Sequence, residues 1–352
     1  MRTNKNILLA ILMALCLSVL MTACDDSDEY VDAEEPATLE FYAMDTYMTV
    51  SAYGGNGETA VGLAQEEVER IDNMLSTGIE GSEIQTLNSK GHGSVSKETG
   101  KLIQRSLKLY KETGGVFDIA VYPIMKAWGF TDKNYRVPSD EELRSLIALD
   151  DAADVAISEN NDGGYDVSFG KDDMAIDLGG IAKGYTSAQI MKVYKENGVE
   201  SGLVNLGGNV QVLGTKPDGK KWRVAVQNPN NSDENDYLGV LEAEDIAVIT
   251  SGAYERNFTK DGKFYHHIID PKTGYPVENN LKSVTVVSKD GTLADAMATS
   301  LFIFGKDKTV DYWHDHQDDF DFISMDKNDE LFVSSGIADA FSSENYKVTV
   351  VD

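Results

Sequence analysis

Met174-Ala175-Ile176-Asp177-Leu178-Gly179-Gly180-Ile181-Ala182-Lys183-Gly184 is the stretch on which the fold turns. A short apolar run meets a glycine pair. Beyond it, residues 181–196 have helical spacing and stop at Asn197-Gly198. Short strands succeed that helix, at 203–206, 210–213, 222–227, 238–242, 247–250, 265–269 and 283–288. Upstream, 38–53 predicts one or two strands, and 56–75, 97–112 and 139–148 predict helices. Residues 155–169 predict a hairpin turning at Asn161-Asp162-Gly163-Gly164. Downstream, 293–304 reads as a buried helix stopped by Gly305, and 320–325, 331–333 and 346–350 close as strands. Helices and strands mix without regular βαβ alternation, so the class is α+β, with one large or two-lobed domain over 38–352.

The same stretch carries chemistry. A glycine turn at a helix start leaves backbone N–H groups to meet phosphate. Asp177 would take a polar ligand group, Lys183 a phosphate and the Gly180 carbonyl a cation; the alternative is a corner whose glycines serve packing alone. Leu293-Ala294-Asp295-Ala296-Met297-Ala298-Thr299 sets Asp295 and Thr299 four residues apart, on one helix face, among mostly small neighbours. Hard oxygen ligands favour Mg²⁺ or Ca²⁺ over zinc. An oxygen-rich cation site and a phosphate cradle in one chain point to a metal-assisted phosphate ester or pyrophosphate reaction. Asn205-Leu206-Gly207-Gly208-Asn209 permits close backbone approach, and Arg256 pairs either with phosphate or with a carboxylate. In Tyr265-His266-His267-Ile268-Ile269-Asp270-Pro271, strand alternation sends the two histidines to opposite faces, so at most one meets a site. HExxH spacing is absent and no zinc site is expected. His314 and His316, in a polar stretch, read as solvated.

The ends supply an address. Arg2 and Lys5 precede an apolar run, 7–21, too short to span a bilayer, and Leu20-Met21-Thr22-Ala23-Cys24 resembles a lipobox. Residues 1–23 are therefore expected to be a lipoprotein signal peptide, Cys24 the lipidated residue, and 24–37 an acidic tether. The lone remaining Cys excludes a disulfide. A net charge of −28 argues against nucleic acid. The protein is expected in a bacterial cell envelope, extracytoplasmic, held to a membrane by its lipid anchor.

Taken in order, Met44-Asp45-Thr46, residues 82–88, Gly114-Gly115-Val116-Phe117-Asp118, 177–184, 205–209, Ser251-Gly252, 267–274 and 294–299 resemble the ApbE family of flavin transferases, the FAD:protein FMN transferases. The resemblance implies an FAD site lined by Met44, Val116, Phe117, Asp118, Asp177, Lys183, His267 and Ile269, the last two on one strand. It implies Mg²⁺ held by the Gly180 carbonyl, Asp295 and Thr299, and His267 and Asp270 activating or positioning the acceptor. The implied reaction moves FMN from FAD, a substrate, to a Ser or Thr hydroxyl of a flavin-acceptor subunit of a membrane redox complex, releasing AMP. A Mg²⁺-dependent FAD pyrophosphatase and a non-enzymatic flavin-binding lipoprotein are the alternatives. Two positions depart from the family pattern: Asp45 replaces a glycine, and Gly78 stands where an aromatic residue is frequent.

Overall fold

Alternation over residues 37–52 becomes a hairpin in the computed structural model of the chain, which describes residues 35–231 and 236–352. Its strands are β1 (Ala37–Ala43) and β2 (Thr46–Ala52). Next come α1 (Gly57–Leu75), α2 (Glu83–Lys90), β3 (His92–Val95), α3 (Lys97–Glu112), α4 (Tyr122–Trp128), α5 (Asp140–Ile147), β4 (Val155–Glu159) and β5 (Tyr165–Phe169). The middle of the chain holds α6 (Gly179–Glu196), β6 (Gly202–Leu206), β7 (Asn209–Leu213), β8 (Trp222–Gln227), β9 (Tyr237–Ala243), β10 (Ala247–Gly252), β11 (Asn257–Lys260) and β12 (Lys263–His266). It closes with β13 (Leu281–Ser288), α7 (Gly291–Phe304), α8 (Lys306–His314), β14 (Asp321–Asp326), β15 (Leu331–Ser334), β16 (Phe341–Ser342) and β17 (Val348–Val351).

The framework is a nine-stranded sheet in the order β1-β2-β6-β7-β10-β13-β14-β15-β17, antiparallel but for the β15–β17 pair. Both faces of its centre are covered, so every residue of β13 but Lys282 is buried, its serines and threonine included. Ile249, Val284 and Val286 pack with Ile181, Ala294, Met297 and Leu301 of α6 and α7. Val248 and Val287 pack on the other side with Val224 and Leu241 of the small sheet β16-β9-β8. Helix α1 lies with α6 over β2 and β6, through Val61, Val68, Ile190 and Val204. A third sheet, β3-β5-β4, joins the first of these cores through Val95, Val167 and Tyr165. Residues Pro36–Asp352 form one compact unit. Among the described residues no helix is long and apolar enough to cross a membrane.

The α+β expectation holds. Three helices were not foreseen. Helix α2 is short and only weakly apolar; its signal was the Ser82 cap, whose Oγ accepts from Gln85 N at 3.0 Å. Helix α4 begins with a proline in its first turn and ends at Gly129, φ 76°. Helix α8 hides in a polar stretch because only Thr309 and Trp313 are buried on it. His316, expected in solvent, stacks on Tyr312 at 4.0 Å between centroids, and its Nδ1 lies 2.7 Å from the Tyr312 carbonyl. The strand expected through Ile269 ends at His266, because the Asp270–Tyr275 turn draws the chain off and leaves Ile269 only an isolated bridge to Pro276.

Candidate functional site

Four backbone devices converge on one cavity of about 180 Å³. The first holds the approach to α6. The Asn88 carboxamide clamps Ile176 from both sides, donating to its carbonyl and accepting from its N–H, each at 2.8 Å. Asp177 N donates to Ile119 O at 2.8 Å, and Asp177 Oδ1 accepts from Gly179 N at 2.8 Å. The second shapes residues 116–121. Thr113 Oγ1 accepts from Phe117 N at 3.0 Å, and Asp118 accepts from Ala120 N at 2.7 Å and Ala152 N at 3.3 Å. The Phe117 ring lies 3.4 Å from where a side chain on Gly180 would begin, at van der Waals contact distance.

The third device is the contact of α6 with α7. A Cβ on Gly184 would stand 2.1 Å from Gly291 O and 2.6 Å from Asp295 Cβ. Its absence lets the helices touch, and Gly184 N donates to Asp295 Oδ2 at 2.8 Å. In a regular helix that N–H serves the Gly180 carbonyl. The Asp295 carboxylate, only 4% exposed, is thus pinned against the turn that carries Gly180. Thr299 Oγ1, one helical turn along, lies 3.3 Å from Ser251 Oγ at the end of β10. Carbonyl, carboxylate and hydroxyl make a donor set for a hard cation, with one carboxylate in it. No cluster of three or more His, Cys, Asp or Glu suited to a metal occurs among the described residues. Fourth, His267 N donates to Arg256 O at 3.0 Å, tying the His267–Ile269 segment to the residue just before β11.

The electrostatics favour an anion at the mouth. Lys183 and Arg256 both line the cavity, and neither forms an ion pair among the described residues, in a chain of net charge −28. Desolvation raises the Asp177 carboxyl, with the Gly179 N–H, Arg256 and Lys183 opposing. Glu255 is exposed at its surface, yet desolvation, with a smaller push from Asp295, raises its carboxyl to about 7 against Lys183 and Arg256. His267 is pulled down to about 3 by desolvation first, then by Arg256, His266 and Lys183, so its ring is uncharged; its Nδ1 is buried without a partner. Asp118 and Asp150 are both raised, first by desolvation and then by the neighbouring carboxylates.

Of the residues read from the sequence, Val116, Phe117, Asp118, Asp177, Gly180, Lys183, His267, Ile269, Asp295 and Thr299 line this cavity together. Two do not. Met44 lies in the β1–β2 turn, where its N–H donates to Asp72 Oδ2 at 3.0 Å and its sulfur meets Thr186 Oγ1 at 3.9 Å. Asp270 spends its carboxylate on its own turn, accepting from Lys272 N at 3.0 Å, and so supports the His267–Ile269 segment from behind. Cys24 is outside the described residues. The histidine pair separates as alternation demands: His266 Nε2 lies 3.1 Å from Val277 O, away from the cavity. Sequence reasoning missed Asn209, Thr250, Glu255 and Ile303, and did not assign Ser251 or Arg256. Asn209 was signalled by the glycine pair before it. It is 2% exposed, and its side-chain Nδ2 has no partner among the described residues.

The departures have local reasons. Met44 and Asp45 take φ of 47° and 61°, the left-handed region of a two-residue hairpin turn, where glycine is at ease and aspartate is tolerated. Gly78 needs no such freedom: its φ is not positive and only Ser76 Oγ, at 3.9 Å, would meet a side chain there.

Residues 44–323 match the ApbE family. The FAD:protein FMN transferase of Klebsiella pneumoniae (strain 342) is 32% identical over 288 residues, covering 81% of this chain and 88% of that one. The FAD:protein FMN transferase of Treponema pallidum (strain Nichols) is 31% identical over 281 residues, covering 75% and 77%. Among solved structures, the ApbE protein of Thermotoga maritima superposes with a TM-score of 0.78 at 30% identity, covering 87% of this chain and 99% of that one. The flavin transferase ApbE from Vibrio cholerae gives 0.76 at 27%, with the same coverage.

Proposed function

The chain belongs to the ApbE family, and from that premise we propose that it is a Mg²⁺-dependent FAD:protein FMN transferase acting on a Ser or Thr hydroxyl and releasing AMP. One observation carries the reading: two cations that form no ion pair among the described residues, Lys183 and Arg256, line the same small cavity as the oxygen set Gly180, Asp295 and Thr299. That is what a pyrophosphate linkage needs on its two sides. The Gly180 carbonyl, Asp295 and Thr299 would hold Mg²⁺, which when bound supplies charge neutralisation at the scissile linkage. Lys183 and Arg256 hold the phosphate oxygens, and the N–H groups opening α6 add a fixed positive field. Val116, Phe117 and Ile269 give the apolar wall for a ring of the substrate, with Asp118 beside it.

In the reaction the acceptor oxygen forms a bond to the FMN phosphorus and the pyrophosphate P–O bond breaks. AMP leaves with the electron pair, and the hydroxyl proton passes to the uncharged His267 ring. Desolvation is the first cause of that ring's depression; Arg256 and Lys183 add to it, and bound phosphate offsets these two, raising the ring's basicity. Asp270 positions the segment and does not touch the reacting atoms.

The address is proposed on the N-terminal sequence: cleavage before Cys24, lipidation there, and an acidic tether that carries the domain beside membrane redox acceptors on the extracytoplasmic side. Incubating the purified chain with FAD, Mg²⁺ and a flavin-acceptor domain should give an in-gel fluorescent acceptor and free AMP. AMP with free FMN, and no labelled acceptor, would instead make the chain an FAD pyrophosphatase.

A further inference from the structure

A second concavity, of about 830 Å³, opens directly onto the cavity: Lys183, Glu255 and Arg256 line both. Its two rims are unlike the rest of this acidic surface. One is the β1–β2 hairpin end, where Tyr47 is 81% exposed and stands edge-on to Tyr42, itself 55% exposed, at 5.2 Å between centroids. The other is the loop after α4, where Tyr135 stacks on Phe258 at 5.1 Å and 13°, beside Lys133, which forms no ion pair among the described residues. Aromatic rings held rigid yet left in water are a feature of protein-binding surfaces. The shared floor of Lys183, Glu255 and Arg256 gives an acceptor oxygen in the groove an approach to the inner cavity.

Resting on the function proposed above, we propose that this groove binds an extended segment of the flavin-accepting protein, with Tyr47 and Tyr135 gripping its two sides and its target hydroxyl delivered over Glu255 and Arg256. The occupant is a polypeptide substrate, because the groove is continuous with the reacting centre and its exposed aromatics lie on the outer rims, beyond the residues assigned to FAD. Asp45 lines the groove and not the inner cavity, so on this proposal the departure there bears on the acceptor.

The test compares the full chain with its Tyr47→Ala and Lys133→Ala variants, using an acceptor domain that the wild type labels. Both side chains are on the rim, and melting curves check that the folds are kept. Expected are an acceptor KM raised about tenfold in each variant, an unchanged FAD dissociation constant, and unchanged AMP release from FAD in the absence of acceptor. An unchanged acceptor KM overturns the groove assignment. So does a parallel loss of FAD affinity, which would make the groove part of the donor site. Failure of the wild type to label any acceptor overturns instead the reading on which the groove rests.

Discussion

Asp295 serves both neighbours of the α6–α7 contact. One oxygen receives the Gly184 N–H at 2.8 Å, and the carboxylate is one of three oxygens that can face a cation. Asp295→Ala should therefore lower Mg²⁺-dependent turnover by about a hundredfold or more while far-UV circular dichroism stays that of the wild type; normal FAD turnover would remove Asp295 from the metal site. Asn209 makes the opposite kind of prediction. Its buried amide nitrogen goes unpartnered without a ligand, so Asn209→Leu should leave the melting temperature unchanged or higher without FAD, yet weaken FAD binding by about tenfold, read by flavin fluorescence titration. Asp150 has both carboxylate oxygens buried and unpartnered, and its pKa is raised by desolvation, then by Asp118 and Asp151. A raised carboxyl contributes stability that is complete below its unfolded value and is lost as pH rises through the folded one. Asp150→Asn should thus raise the melting temperature at about pH 8 and do so much less at about pH 5. Equal shifts at both would contradict the burial of that charge.

At the scale of elements, the site depends on two helices touching. Gly184 leaves no room for a methyl group against Gly291 O, so Gly184→Ala should cost about 1–3 kcal/mol in urea melts and raise the Mg²⁺ concentration needed for half-maximal activity about tenfold. If stability falls and the Mg²⁺ requirement does not move, the contact supports the fold alone. The long, strongly patterned helices α1 and α3 and the strands of the main sheet were legible in the sequence, because one face or both of each is apolar with a regular period. Helices α2, α4 and α8 were not, because each is nine residues or shorter, too short to show a helical period, and α2 and α8 bury only two residues each. The strand through Ile269 was overextended for a related reason: its apolar alternation continues past His266, but the Asp270–Tyr275 turn takes the backbone away from the β11–β12 ladder.

For the whole molecule, charge is the dominant global property. A chain of net charge −28 binding an anionic dinucleotide must repel it at long range and attract it only within reach of Lys183 and Arg256. Raising ionic strength from low to physiological values screens the long-range field first, so the association rate of FAD should rise several-fold over that interval in stopped-flow fluorescence. A rate that falls would mean that the local cations steer the encounter. Composition, the acidic balance, the order of the motifs and the α+β class were all decided by the sequence itself, since each follows from residue types and their periods along one chain. The residues that share the cavity come from segments as far apart as Val116 and Ile303, and only the folded chain brings them together. The same holds for the exclusion of Met44 and Asp270 from it, for the orphaned amide of Asn209 and for the groove beside it. Spacing along a chain reports which side chains share a helix or strand face. It carries no information on which loops meet across a sheet, and that is settled by the close packing of α6 on α7 and of both on the main sheet.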